Sequence, residues 1–566
     1  MIQLSNNHIQ TLIANGNRAE SWQNIYIDEN LDLNKIENCR FGGRVEIEAE
    51  VTLADSTIVN YHICRGAKVL STTRLETRHA SKFGNGVKVA AVNENGGREI
   101  TIYNGLTAQV AYIMAMYRHR KELIKNLFIR IDNATESQFS YMGVVGENST
   151  IIGARFVREV MIGKDVTIEG ASLVENATLL DGVYVGIDVK AKDFIAVENS
   201  KIDFGATITR CFVGENVVMS NGFTAADSLF FASSHLENGE ACSIFAGPYT
   251  VSHHKSSLLI AGLFSFFNAS SGTNQSNHLF KSGAIHQAIH RRGTKFASNG
   301  YVMSPADEGE FTVILGHHIK HHDTSAMPYS YLVEKGGLSY LLPGFGLHSY
   351  GSVRDIEKWQ KRDKRVIRRD IISYNEYNPL IAGKVAVALD VLKAMLAENP
   401  EAELLHYNNT FIKRPLAERG IYLYGLYLTA AIGQMLKAGK SSATNCEKWI
   451  DIAGQYIDKG VVDSALENNN ITLEELNNTF RSFAEIYDNA AHGWALALLA
   501  KRLDKTPTAE DIAEAIAEAD VARAELKKIT DTDRESDISP KMSIGYGIDS
   551  TEKDEILHDF NTVQKR

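Results

Sequence analysis

The sequence predicts a mainly β fold with added α structure: a parallel β-helix interrupted by a helical insertion and followed by a C-terminal α-helical domain. Three observations predict it. A six-residue aliphatic beat runs through the middle of the chain. A turn cluster and an amphipathic run interrupt that beat near residue 100. Beyond residue 370 the apolar period becomes helical.

The beat is clearest in five short segments: VGENS (145–149), IGKDV (162–166), VGIDV (185–189), IDFGA (202–206) and VGENV (213–217). Their starts lie 17, 23, 17 and 11 residues apart, each one short of a multiple of six. Ile162, Ile168, Val174 and Leu180 fall every six residues, and Val166, Ser172 and Thr178 follow the first three by four places. An aliphatic residue pointing inward and a small one near a corner make one side of a three-sided prism, so three hexads predict a coil of about eighteen residues.

The elements follow in order. Residues 1–91 form an N-terminal cap and the first coils, with beats at Val45, Val51, Leu53 and Ile58. Residues 92–140 are the helical insertion: NENGG (93–97) is a turn cluster, and 107–131 reads as one amphipathic helix ending in the basic run Arg118, His119, Arg120 and Lys121. Residues 141–370 resume the β-helix with long site-forming loops. Residues 371–566 are the helical domain, where EKWIDIAGQYIDKG (447–460) reads as one of its helices and Thr508, followed by Glu510 and Asp511, as a helix N-cap.

The totals bound the function. A chain of 566 residues holds two or three domains, and a net charge of -10 argues against a nucleic-acid binder. Five scattered cysteines without a C-x-x-C read as reduced thiols. The N-terminus MIQLSNNHIQ has no signal-peptide pattern, and no apolar stretch reaches membrane-spanning length. Together these predict a cytoplasmic protein with no membrane partner.

The repeat resembles the left-handed β-helix of the hexapeptide-repeat superfamily, and the match covers roughly 40–260 apart from the insertion. Taken whole, the chain is similar to a Bacteroidetes-type family of long β-helix proteins with a C-terminal helical domain. The superfamily resemblance implies a transferase, above all an acyltransferase on sugars or sugar nucleotides. It also implies a histidine base, an acyl-CoA donor at the β-helix edge, and a homo-oligomer.

Candidate site residues concentrate late in the β-helix. Eleven of the 18 histidines lie between 235 and 348. The segment FFNASSGTNQSNHLF (266–280) packs amides and hydroxyls behind an apolar lead-in, and HHKSS (253–257) and the basic run 354–369 add cations. The candidate bases are His278, His254 and His286. Lys255, Lys281, Arg291, Arg292 and Arg354 suit a phosphate, and Asn268, Ser271, Thr273, Asn274 and Asn277 suit sugar hydroxyls. A stacked ladder of corner Asn and Ser side chains is the structural alternative for 268–277. A sugar phosphate or nucleotide sugar is therefore the expected small-molecule partner.

Two further readings stay open. His317 and His322 have the H-x4-H spacing of two zinc ligands in the resembling γ-type carbonic anhydrases, and Asp323 can join them. This makes a divalent metal and a metal-dependent hydrolase or lyase the alternative. The third reading is a non-catalytic scaffold that binds sugar nucleotides.

Overall fold

The computed structural model describes residues 1–276, 287–440, 446, 448–539 and 553–564. A parallel β-solenoid runs through most of the first 335 residues. Its coil is 17 residues long through the centre: Thr150, Thr167, Tyr184, Lys201, Val218 and His235 pair one above another on one wall. Val157, Val174, Ala191, Ile208 and Ala225 do so on the next.

The expected eighteen residues are one too many for a physical reason. One seven-residue strand covers two sides of the coil and bends between them at a single left-handed residue. That residue is Glu159, Asn176, Asp193, Arg210 or Asp227 in successive coils, with φ between 48 and 54°. Asn and Asp tolerate this conformation best among side chains with a Cβ. Glu and Arg adopt it because the stacked neighbours fix the bend.

Side chains alternate across the wall. Ile151, Ile168, Val185, Ile202, Met219 and Leu236 form one fully buried inward column, while the residues before them face outward. The sliding beat shows in Leu180, which is only half-buried while Leu179 takes the inward place. Buried hydroxyls close one corner. Thr250, Thr294, Thr312 and Ser330 each donate to the carbonyl three residues earlier.

The first coils are closed by α1 (Asn6–Ala14), which Ser5 caps. The insertion leaves after Glu76 and returns at Gly143, which pairs with Tyr61. It contains an antiparallel hairpin, Lys88–Ala90 with Glu99–Thr101, then α2 (Ala108–Met116) and α3 (Lys121–Glu136). The single helix expected over 107–131 is thus two. α2 is buried on nearly all sides, and Gln109 donates to the carbonyls of Ile371 and Ile452. The basic residues at the break serve internal contacts: Arg118 donates to Gly97 O and Arg120 to Asp463.

The solenoid ends in a hairpin, Tyr331–Lys335 with Leu338–Leu342. Then come α4 (Tyr350–Lys361), an irregular strap, α5 (Pro379–Glu398), α6 (Arg414–Ala438), α7 (Lys459–Glu467), α8 (Leu473–Leu503) and α9 (Ala509–Glu535). Thr508 caps α9 and Asp511 returns the bond, as the sequence predicts.

The helix expected over 447–460 is instead a β-hairpin, Trp449–Ile452 with Gln455–Asp458. Ala453 and Gly454, at φ 52 and 106°, make its two-residue turn. Among the described residues no helix is long and apolar enough to cross a membrane, and all five cysteines are free thiols.

Candidate functional site

The outward column of the solenoid wall continues from Val218 through His235, Val251 and Asn268 to Lys295. The step from Asn268 to Lys295 is 27 residues, against 17 for the step before it. This column is the floor of a cavity of about 960 Å³.

The roof is α4 and the strap behind it, which supply Asp355, Lys358, Trp359, Arg362, Lys364 and Val366. Trp359 is buried against Phe266, with ring centroids 4.6 Å apart, and seats the helix on the wall. The strap is pinned along its length. The Glu215 carboxylate accepts the backbone N–H groups of Ile367, Arg368 and Arg369, and Arg369 pairs with Glu198. Buried Asp370 accepts from Ala108 N and Ala232 N.

The cavity wall is cationic. Lys295, Lys358, Arg362 and Lys364 line it, and Asp355 is the one lining carboxylate among the described residues, with Glu237 set behind the lining histidines. Asp355 is buried and pairs with Lys295 from below, while Lys358 Nζ donates to it at 2.6 Å and Arg354 at 3.2 Å. Burial, then the charges of Arg354 and Lys358, act to lower the Lys295 pKa, while the Asp355 carboxylate in contact with it favours the charged form. Burial, then Arg354 and Arg362, act in the same sense on Lys358, whose Nζ also donates to Asp355. The two lysines and their arginine neighbours therefore repel one another across a single shared anion.

A second feature shares the cavity. His235 and Glu237 project outward from one strand, and His253 projects from the coil above. His235 Nε2 lies 3.0 Å from Glu237 Oε1, and His253 Nδ1 lies 3.9 Å from Glu237 Oε2. The two rings meet edge to face with centroids 4.4 Å apart. Burial, then the neighbouring His235, lowers the His253 pKa and favours its neutral form.

The residues singled out by sequence are divided. His254 and Asn268 line the cavity, and Arg354 joins it through Asp355. Lys255 and Ser271 are exposed on neighbouring turns, with Ser271 donating to Lys255 O. Thr273 is buried and closes its own turn by donating to Ser270 O at 2.7 Å, a bond within one coil and not the coil-to-coil ladder of side chains. Asn274 sits in a strand registered on Leu258 and Tyr301. The Arg291 guanidinium is occupied by a two-pronged pair with Asp307, both contacts at 2.8 Å. His278, His286, Asn277 and Lys281 lie outside the described residues.

The structure does not gather His317, His322 and Asp323 into one set. His317 is exposed, because in its strand the alternate residue His318 points inward. His322 is buried and bonds Glu308 Oε1 at 3.2 Å. Asp323 is exposed and accepts from Ser325 N. Among the described residues, the donor atoms that converge within 4.8 Å belong to Glu48, His62 and Cys64, and to His235, Glu237 and His253.

His322 belongs to a polar cluster inside the last coils. The inward column Phe230, Ala246, Phe264 continues as His290 and Glu308. His290 Nδ1 meets Glu308 Oε2 at 2.5 Å, so one buried carboxylate lies between two imidazoles. Burial works to raise the Glu308 pKa, but the charges and hydrogen bonds of His290 and His322 reverse this and hold it at about 2. Among the described residues the other His290 nitrogen, Nε2, has no hydrogen-bond partner.

Sequence reasoning missed Lys295 and Glu237 altogether. It held Lys358, Arg362 and Lys364 only as part of the basic run 354–369. The missing signal is the coil offset: once His235 pairs with Val251, the two-residue alternation places His253 above Glu237.

A Treponema pallidum (strain Nichols) protein, described as "Uncharacterized protein", is 21% identical to the chain over 451 residues. That stretch is 69% of this chain and 61% of the relative, so the chain spans less than two thirds of the relative's length. A second family model, Domain of unknown function (DUF6819), matches residues 429–566, from within α6 onward. The model of Domain of unknown function (DUF4954) matches residues 48–396, which holds nearly all of the solenoid, the insertion and both walls of the groove, and the chain belongs to that family.

Proposed function

We propose that the groove is the active site of a cytoplasmic transferase that binds a sugar phosphate or a nucleotide sugar, with acyl transfer as the reaction class. The observation that carries this reading is the crowding of Lys295, Lys358, Arg362 and Lys364 round Asp355, the one lining carboxylate among the described residues. An anion is what such a wall lacks, and a phosphate between the lysines relieves their mutual repulsion. The Asn268 amide, stacked directly below Lys295, offers a donor and an acceptor to sugar hydroxyls. The resemblance to left-handed hexapeptide-repeat proteins adds the reaction class.

In this reading His254 takes the proton of an acceptor hydroxyl as its oxygen attacks the carbonyl of an acyl thioester. The new C–O bond forms, the C–S bond breaks, and the proton passes to the departing thiolate. A thermal-shift panel of sugar phosphates, nucleotide sugars and acyl-CoA tests the reading, followed by mass spectrometry for an acylated product. A raised melting temperature with a sugar anion and a product of the expected mass support it. A shift without turnover moves the assignment to a sugar-nucleotide-binding scaffold. No shift with any sugar anion overturns it.

A further inference from the structure

We propose that His235, Glu237 and His253 form a divalent-metal site on the wall of the groove, with zinc as the ion their donor set suits. His235 and Glu237 lie in one strand, and His253 directly follows Val251–Ser252, the strand registered on it in the next coil, so the fold brings the three donors together. A tetrahedral zinc about 2.0–2.1 Å from each donor separates neighbouring donors by roughly 3.4 Å. His235 Nε2 lies 3.0 Å from one Glu237 oxygen and His253 Nδ1 3.9 Å from the other, and one donor atom from each of the three residues lies within 4.8 Å of the other two, so small side-chain rotations close the set on an ion.

Two imidazoles and one carboxylate are a set that leaves a fourth position open. Both histidines line the cavity, so that position faces the space shared with Lys295 and Lys358. An ion there would act as a Lewis acid on a phosphoryl or carbonyl oxygen of whatever the groove holds. The inference stands apart from the transfer reading, because a sugar phosphate can bind the cationic wall whether or not an ion sits at the histidines.

The test is a cobalt(II) titration of the full chain after chelator treatment, read by visible absorption and by metal content. The expected result is one ion per chain, with binding lost in Glu237→Gln and in His235→Ala and retained in His62→Ala. His62 belongs to the other convergent set, Glu48, His62 and Cys64, and so reports binding elsewhere. The two groove variants alter half-exposed side chains, and matched melting curves without metal establish that each is folded. Failure of the wild type to bind cobalt overturns the proposal, and so does binding that survives both groove variants or disappears in His62→Ala alone. Nucleotide-sugar binding measured in chelator reads the transfer proposal separately.

Discussion

Lys295 on the solenoid wall and Asp355 on α4 form an ion pair across the groove, and Asp355 is only 3% exposed in its side chain. This contact joins the two walls and holds one negative charge among several positive ones. Asp355→Asn leaves Lys295, Lys358 and Arg354 without their shared anion. Removing one partner of a buried ion cluster costs about 3 kcal/mol or more, to be read as a lower urea midpoint with an unchanged slope. Added inorganic pyrophosphate is expected to restore more stability to this variant than to the wild type. Equal restoration in both counts against an anion site between the lysines.

The strap depends on Glu215, whose carboxylate receives three consecutive backbone N–H groups and is 1% exposed. Hydrogen bonds to a charged group are worth about 1.5–3 kcal/mol each, and local release of the strap costs less than global unfolding. Glu215→Ala is therefore expected to quicken tryptic cleavage between residues 362 and 369, with the solenoid left folded. N-terminal sequencing of the first fragments locates the cut. A wild-type cleavage pattern contradicts the pinning role.

The buried Glu308 cluster makes a pH-dependent contribution. The Glu308 pKa is depressed from its ordinary 4.5 to about 2, so its stabilisation is full above 4.5 and is lost as pH falls toward 2. The His322 pKa is raised above its ordinary 6.5, although burial opposes this, because Glu308 bonds and attracts its charged form. Its stabilisation is full below 6.5 and is lost as pH rises through the raised value. The gap in melting temperature between wild type and Glu308→Gln is expected to be widest between pH 4.5 and 6.5, narrowing on both sides. His318 is held down to about 4 by burial and then by His322, and bends the profile of both proteins below pH 6.5. A gap independent of pH overturns the assignment.

Much of the solenoid was legible because its signal is local. Ile162, Ile168 and Val174 are all buried, as the beat requires, and the deficit of one in each spacing already contained the 17-residue coil. The hairpin at 449–458 was not legible as such, because WIDIAGQYID satisfies a helical and an alternating pattern within too few residues. The site was legible in part. Arg291 and Arg292 look like free phosphate ligands in sequence. However, Arg291 pairs with Asp307, and Arg292 is buried on Asp451 between the rings of Phe266 and Tyr456. Asp451 lies 159 residues from Arg292, and no local pattern announces such a partner. Lys295 joins the floor only because the step from Asn268 is ten residues longer than the step before it.

On this proposal the groove between the outward column and α4 holds an anionic sugar ligand. Isothermal titration of a nucleotide sugar into wild type, Lys295→Ala/Lys358→Ala and Lys255→Ala tests it most directly. Lys255 is exposed and does not line the cavity, so it separates the groove from general surface charge. Binding to wild type and to Lys255→Ala, with its loss in the double variant, is the expected result. Binding that survives the double variant, or that is lost with Lys255 alone, would contradict it.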